Sequence, residues 1–379
     1  MAWNKGVALR FAAKALVLAC LPVFVMIFNL AFDPAARAID NQKEVDAAEQ
    51  LVAGKTLVVE GDDWYNILNP GGLKAQYAYR TKGKSDVLVL GSSHATMLSD
   101  DLLPGKTVIN GAVPGAKLDH LLAVYAVYRR RGILPPEVIL GIDPWMLNAN
   151  FQSASRTSKA LDPELAAIGP ILGLDSAKKT DPALDYLGIF SFRRSIGALA
   201  ASLAPSRVLT SEITYRLVDA ATADYRSGVR SDGSDLRHAL NSQDADPQEL
   251  RQRVQNSIKR RRGCCFNGFY EMDPTLTENL ENFLRLMIQD GVRPTLFLSP
   301  EHPDFYEAIT TRTMNPIQPK VESHLRALAS KYGLRVIGSY DPSKCGLSGA
   351  SFSDGDHLNL RGFRMIFLED SCSRAESQR

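Results

Sequence analysis

The chain has 379 residues, 45% of them hydrophobic and 23% charged. That is enough apolar material for a sizeable core, and it excludes a disordered or collagen-like chain. Lys and Arg total 44 against 42 Asp and Glu, and the formal charge of +2 is too small for the basic footprint of a nucleic-acid binder. The length fits one large domain with insertions or two modest ones, and no self-similar period argues for a repeat array.

Residues 1–14 carry Lys5, Arg10 and Lys14 with no acid, and residues 15–32 carry no charge. A helix over that run, at about 1.5 Å per residue, spans most of a hydrocarbon core of about 30 Å and exceeds the usual apolar stretch of a cleaved leader. We therefore read residues 1–32 as a cytoplasmic stub and a single-pass anchor in the inner (cytoplasmic) membrane. The acid-rich flank from Asp33 onward places the body on the periplasmic or extracellular side. Cleavage near Ala36-Arg37-Ala38 and lipid modification of Cys20 are the rival readings.

Residues 33–84 form a lead-in, with a short amphipathic helix over 39–54 and an irregular stretch over 55–84 containing Gly61, Pro70, Gly71 and Gly72. Short apolar runs bounded by Gly or Pro then predict five buried strands, at 86–91, 107–111, 137–143, 295–300 and 334–340. Helical patterns at 118–132, 276–291 and 319–333 lie between them. The alternation predicts an α/β fold with a doubly wound, parallel, five-stranded sheet, split into halves at 85–150 and 276–379. Ligands of such sheets sit at the carboxyl ends of the strands. Residues 151–275 break the rhythm and read as a long, mostly helical insertion, with a candidate helix at 192–204 and a basic run at 259–263. The basic run reads either as a solvated helix end or as a contact for anionic lipid or glycan.

An exported body lets disulfides persist. Cys264, Cys265, Cys345 and Cys372 lie outside the anchor. Adjacent cysteines rarely bridge each other, so Cys264 and Cys265 would each need a partner such as Cys345 or Cys372; all four being free is the other possibility. Because Cys345 and Cys372 bracket His357, at least one bridge is expected to tie that segment down. No spacing suggests a structural zinc site or a metalloprotease, and no metal or cofactor is expected.

The first strand breaks into Gly91-Ser92-Ser93-His94, which puts a hydroxyl where the N–H groups of a following helix can hold an oxyanion. The second strand ends in Asn110-Gly111-Ala112-Val113-Pro114-Gly115, where glycine lets a backbone N–H approach a ligand. Near the C-terminus, Asp354 stands three residues before His357. At that spacing a carboxylate reaches imidazole Nδ1 and leaves Nε2 free to act as a base.

This block order resembles the SGNH or GDSL hydrolase superfamily over residues 86–145 and 293–370. The resemblance implies Ser93 as nucleophile, His357 as base and Asp354 as its orienting acid. Ser93 and Gly115 would supply oxyanion N–H groups. The third block of that family normally reads Gly-x-Asn-Asp, with the Asn as a further donor, whereas this chain reads Gly141-Ile142-Asp143-Pro144. An ionised carboxylate cannot donate. Asp143 would have to be protonated, or Asn148 or Asn150 would substitute, or the site binds without turnover. The GSS form of the first block, the anchor and the outward-facing body are similar to the envelope branch of the superfamily, the proteins of alginate O-acetylation and of D-alanyl transfer to teichoic acid.

Trp145, Glu301 and His302, which flank the active-site edge, are candidate substrate contacts, with core packing the other reading of Trp145, and His94 reads as a second base or a pocket wall. Asp356, His120, His238 and His324 receive no role. The functional expectation is an anchored serine esterase or O-acyltransferase. It would act on acyl groups, acetyl above all, of an envelope or exported glycan, with a multi-pass membrane acyltransferase as the partner that hands over acyl groups. The alternative is an inactive glycan-binding or assembly subunit of the same fold.

Overall fold

The computed structural model describes residues 20–28, 42–59, 64, 68–151, 161–172, 215–218, 227–237, 246–310 and 316–372. The chain divides into two units. In the smaller, residues 1–41 and 175–213, the described part is the helical stretch 20–28. Most of the apolar run 15–32 and the candidate helix 192–204 thus lie outside the described residues, and among the described residues no helix is long and apolar enough to cross a membrane.

The larger unit begins with α1 (Gln42–Val52), β1 (Thr56–Val59) and α2 (Pro70–Arg80). The lead-in is therefore more ordered than its glycines suggest. Asn69 caps α2 by accepting from Gly72 N at 3.1 Å, with Pro70 in the first turn, so a Pro-Gly-Gly that reads as a loop opens a helix. The chain continues through β2 (Val87–Leu90), β3 (Val108–Asn110), α3 (Leu118–Arg130), β4 (Glu137–Gly141), α4 (Asp162–Leu172), β5 (Tyr215–Val218), β6 (Ser227–Val229), β7 (Asp235–Arg237), α5 (Pro247–Cys264), α6 (Pro274–Gln289), β8 (Arg293–Leu298), α7 (Pro303–Thr310), α8 (Ile317–Tyr332), β9 (Arg335–Gly338) and α9 (Leu360–Phe367).

All five expected strands pair into one parallel sheet of order β3-β2-β4-β8-β9. Both faces are buried, which is why the strands read as unbroken apolar runs. Leu88, Leu90, Val138, Leu140, Leu296 and Leu298 point into a core shared with α3, α6 and α8. Their neighbours Val87, Val89, Ile139, Phe297 and Ile337 pack on the other face against Phe363 and Ile366 of α9. Each such side chain contributes about 1.5–3 kcal/mol by leaving water. Strand order reverses at β2, which pairs with β3 on one side and β4 on the other, so the loops after β2, β3 and β4 gather at one edge.

The stretch 151–275 adds strands to the expected helices. Its described parts are α4, α5 and three short strands, which join β1 of the lead-in in an antiparallel sheet of order β5-β1-β6-β7. Strands of three or four residues are too short to show a period-two signal. The polar run around Ser231 is the turn of the β6–β7 hairpin, which docks on the end of β3. Gly233 there has φ +85°, and a Cβ would stand 2.4 Å from Asn110 O, so both conformation and space demand glycine. The buried Lys74 ammonium donates to Asn110 O at 3.0 Å and also to Gly233 O. Burial lowers its pKa to about 8 against the pull of Asp235 and Asp232.

Cys345 and Cys372 form a disulfide, closing the segment that carries Asp354 and His357. Cys264 and Cys265 are free thiols, so the expectation that each finds a partner is corrected. Cys345 and Cys372 bridge each other, while Cys264 and Cys265 sit where α5 ends.

Candidate active site

Ser93 stands three residues past β2, in a run of tight turns rather than at the start of a helix. The expected helix is absent for a local reason. Asn110 Nδ2 donates to Ala95 O, Thr96 O and Leu98 O at 2.8, 3.1 and 2.8 Å, taking carbonyls a helix would have used. The same amide accepts from Ala112 N at 2.9 Å, so Asn110 ties the turn after β2 to the turn after β3. Thr96 Oγ1 donates to Ser93 O at 3.0 Å and fixes the backbone at Ser93.

The turn after β3 is held to β2 by Val113 N donating to Gly91 O at 2.9 Å, and it leads to Gly115, whose φ of +69° glycine adopts readily.

Asp354 and His357 lie on the loop before α9. Asp354 Oδ1 accepts from Asp356 N and His357 N, both at 2.9 Å, so the carboxylate organises the loop that presents the imidazole. His357 Nδ1 is 2.9 and 3.0 Å from the two Asp354 oxygens, and Nε2 is 2.9 Å from Ser93 Oγ. Burial works against the Asp354 charge. His357 and the two loop N–H groups outweigh it and hold the carboxyl below its usual range. A neutral His357 donating from Nδ1 is left with Nε2 as acceptor for the serine proton.

Beneath this line lies a second, drier layer. His94 Nδ1 is 2.7 Å from Asp143 Oδ1, and its Nε2 is 3.5 Å from Asp356 Oδ2. Burial lowers the pKa of His94, but the two carboxylates overcome it and carry it to about 10. Arg261 closes the layer by pairing with Asp356 while its guanidinium stacks 4.6 Å from the centre of the Trp145 ring. Burial opposes the Asp356 charge too, and Arg261 above all holds it well below the carboxylate range.

Several expectations are corrected here. Asp143 Oδ1 is engaged by His94 Nδ1 at 2.7 Å, and its Oδ2 has no hydrogen-bond partner. The Asn148 and Asn150 amides donate to Cys265 O and Gly268 O. Trp145 is buried among His94, Phe266 and Arg261, so it packs and does not face a substrate. Glu301 is likewise buried, taking both its bonds from Gln318 Nε2, and burial raises its pKa to about 8. His302 packs its ring on Phe352, accepts from Asp304 N and donates its own backbone N–H to Gly355 O, which makes it a prop of the loop carrying Asp354. The basic run is part of α5, and Arg261 within it is turned inward.

Arg261 and Asp356 are the residues that sequence reasoning passed over. Their two signals were the second acid of Asp354-Gly355-Asp356-His357 and a cluster of bases long enough to leave one for the interior. His94, Asp356 and His357 bring metal-type ligand atoms within 4.8 Å of one another, and Arg261 already pairs with Asp356 there. A scan against protein-family models and a search of curated proteins return no match to this chain.

Proposed function

We propose that the chain is an SGNH-type serine esterase or O-acyltransferase. It acts on acyl groups, acetyl above all, of an envelope or exported glycan, and it is held at the outer side of the inner membrane by its N-terminal segment. One observation carries this reading: a hydroxyl, an imidazole and a carboxylate stand in hydrogen-bonded line at the carboxyl edge of a parallel sheet, although Ser93 and His357 are 264 positions apart. A nucleophile, its base and the base's orienting acid are what acyl transfer requires.

In this mechanism His357 Nε2 takes the Ser93 proton as Oγ bonds to the acyl carbon, and the carbonyl electron pair moves onto oxygen. The backbone N–H groups of Ser93 and Gly115 receive that oxyanion. Collapse breaks the bond to the leaving alkoxide, which regains the proton from His357. Water or a sugar hydroxyl then enters by the reverse steps, giving hydrolysis or transfer. A multi-pass membrane acyltransferase is the kind of partner that would hand over acyl groups.

The Cys345–Cys372 bridge favours an oxidising compartment. Leu21, Val23, Phe24 and Ile27, exposed on the helical stretch 20–28, favour a lipid-facing segment. Asp143 supports a second reading, a glycan-binding or assembly subunit that has lost its third oxyanion donor. A serine-directed phosphonate separates the two. The enzyme should be labelled at Ser93 and Ser93→Ala should not, with a loss of at least about 10³-fold. A parent protein that takes no label and cleaves no activated acetyl ester leaves the binding subunit.

A further inference from the structure

We infer that His94 is a constitutively charged imidazolium that positions the catalytic line, clamping the turn of Ser93 to the loop of His357 through Asp143 and Asp356. The role assigned to His357 rests on the hydrolase reading; the charge on His94 does not.

The geometry leaves little room for a neutral ring. His94 Nδ1 is hydrogen-bonded to Asp143 Oδ1 at 2.7 Å, and Nε2, which makes no hydrogen bond, lies 3.5 Å from Asp356 Oδ2, so in either neutral tautomer one nitrogen would turn a lone pair toward a carboxylate. The surrounding charges agree. Asp143 at the end of β4 and Asp356 on the base loop supply two negative charges, and Arg261 of α5 supplies one positive charge. Arg260 reaches only to 3.6 Å from Asp356 and is largely exposed. Glu301, beyond β8, is held neutral by burial near pH 7. A charged His94 balances this buried set, and a neutral one leaves it a full charge short.

His94 touches both halves of the catalytic line. It follows Ser93 in the chain, and its ring centre lies 4.9 Å from that of His357. Asp356 Oδ1 is 3.6 Å from His357 Nδ1, so it stands ready to compete with Asp354 for the same N–H. With Arg261 and His94 both drawn to Oδ2, the Asp356 charge is directed away from His357. Loss of the His94 charge would free Asp356 to act on His357, favouring the imidazolium and disabling the base at neutral pH.

The test is nitrogen NMR on the full chain with labelled histidine, from pH 5.5 to 9, in the parent, His94→Gln and His94→Arg. In the parent, both His94 ring nitrogens should remain protonated up to at least pH 8.5. In His94→Gln, the titration of His357 should move upward by about one pH unit, and the acid limb of phosphonate labelling should move with it. Arginine keeps the charge and a fork able to meet two carboxylates, so His94→Arg should return the titration at least halfway to the parent. One unprotonated His94 nitrogen at pH 7.5 in the parent would overturn the proposal whether or not the variants fold. So would a His357 titration that does not move in a folded His94→Gln. If the NMR results are as expected but Ser93 takes no label, the clamp stands and the enzymatic reading falls.

Discussion

Two imidazoles with ring centres 4.9 Å apart, each beside carboxylates, define two layers of one site. In the upper layer His357 and Asp354 keep 12% and 24% side-chain exposure, whereas below them His94, Asp143 and Asp356 keep 2%, 2% and 0%. Where water still reaches, one carboxylate orients a ring whose far nitrogen faces a hydroxyl, an arrangement suited to moving a proton. Where water is excluded, one carboxylate bonds Nδ1, a second lies 3.5 Å from Nε2, and the ring serves as a fixed charge. The contrast shows that the number of partners and access to solvent, more than residue type, decide whether a histidine is a base or a strut.

The largest effect that would test this contrast belongs to the upper layer. Asp354→Asn should lower kcat/KM for an activated acetyl ester by about 10³–10⁴-fold, because the amide cannot stabilise the imidazolium and favours the wrong tautomer. Thermal stability should change little. A loss below tenfold would mean that Asp356, at 3.6 Å, serves as the partner of His357, and the division between layers would fail.

The next effect belongs to the lower layer and is read in stability. Arg261→Leu leaves Asp356 buried with its strongest partner gone, and should cost about 3–5 kcal/mol in urea unfolding. The guanidinium also stacks on Trp145, so packing is lost with the charge. A cost under about 1 kcal/mol, the scale of exposed ion pairs, would show that water reaches this layer.

A smaller effect sharpens the same point at Glu301. Its folded pKa of about 8 lies above the unfolded value of about 4.3. The native state therefore binds the extra proton between these values, and stability falls as pH rises through the window. Glu301→Gln should remove about 1–2 kcal/mol of the decline between pH 5 and 6.5, measured as denaturant midpoints. His94 adds little slope in that range, because its stabilising contribution is complete below about pH 6.5 and is lost progressively from there up to about pH 10. A slope identical to the parent's would place an ionised Glu301 in the native core.

Much of the fold was legible in the chain because its signals are local. Buried parallel strands must be apolar on both faces, so Val87–Leu90, Glu137–Gly141 and Arg293–Leu298 stand out between helical patterns. The line of Ser93, Asp354 and His357 was legible for a similar reason. The acid and base are three residues apart, and the hydroxyl closes a strand whose position in the sheet the alternation implies.

Short strands such as Ser227–Val229 and Asp235–Arg237 were not legible, because three residues cannot show a period and their pairing with β1 is non-local. Nor was the lower layer. Arg261 reads as one base among several and Asp356 as a solvated acid until the helix bearing one is packed against the loop bearing the other. The sequence by itself determined which residues could do chemistry at the sheet edge. Only the tertiary structure decided which charges lost their water, since a charge is perturbed by distance and burial and neither is a property of neighbours along the chain.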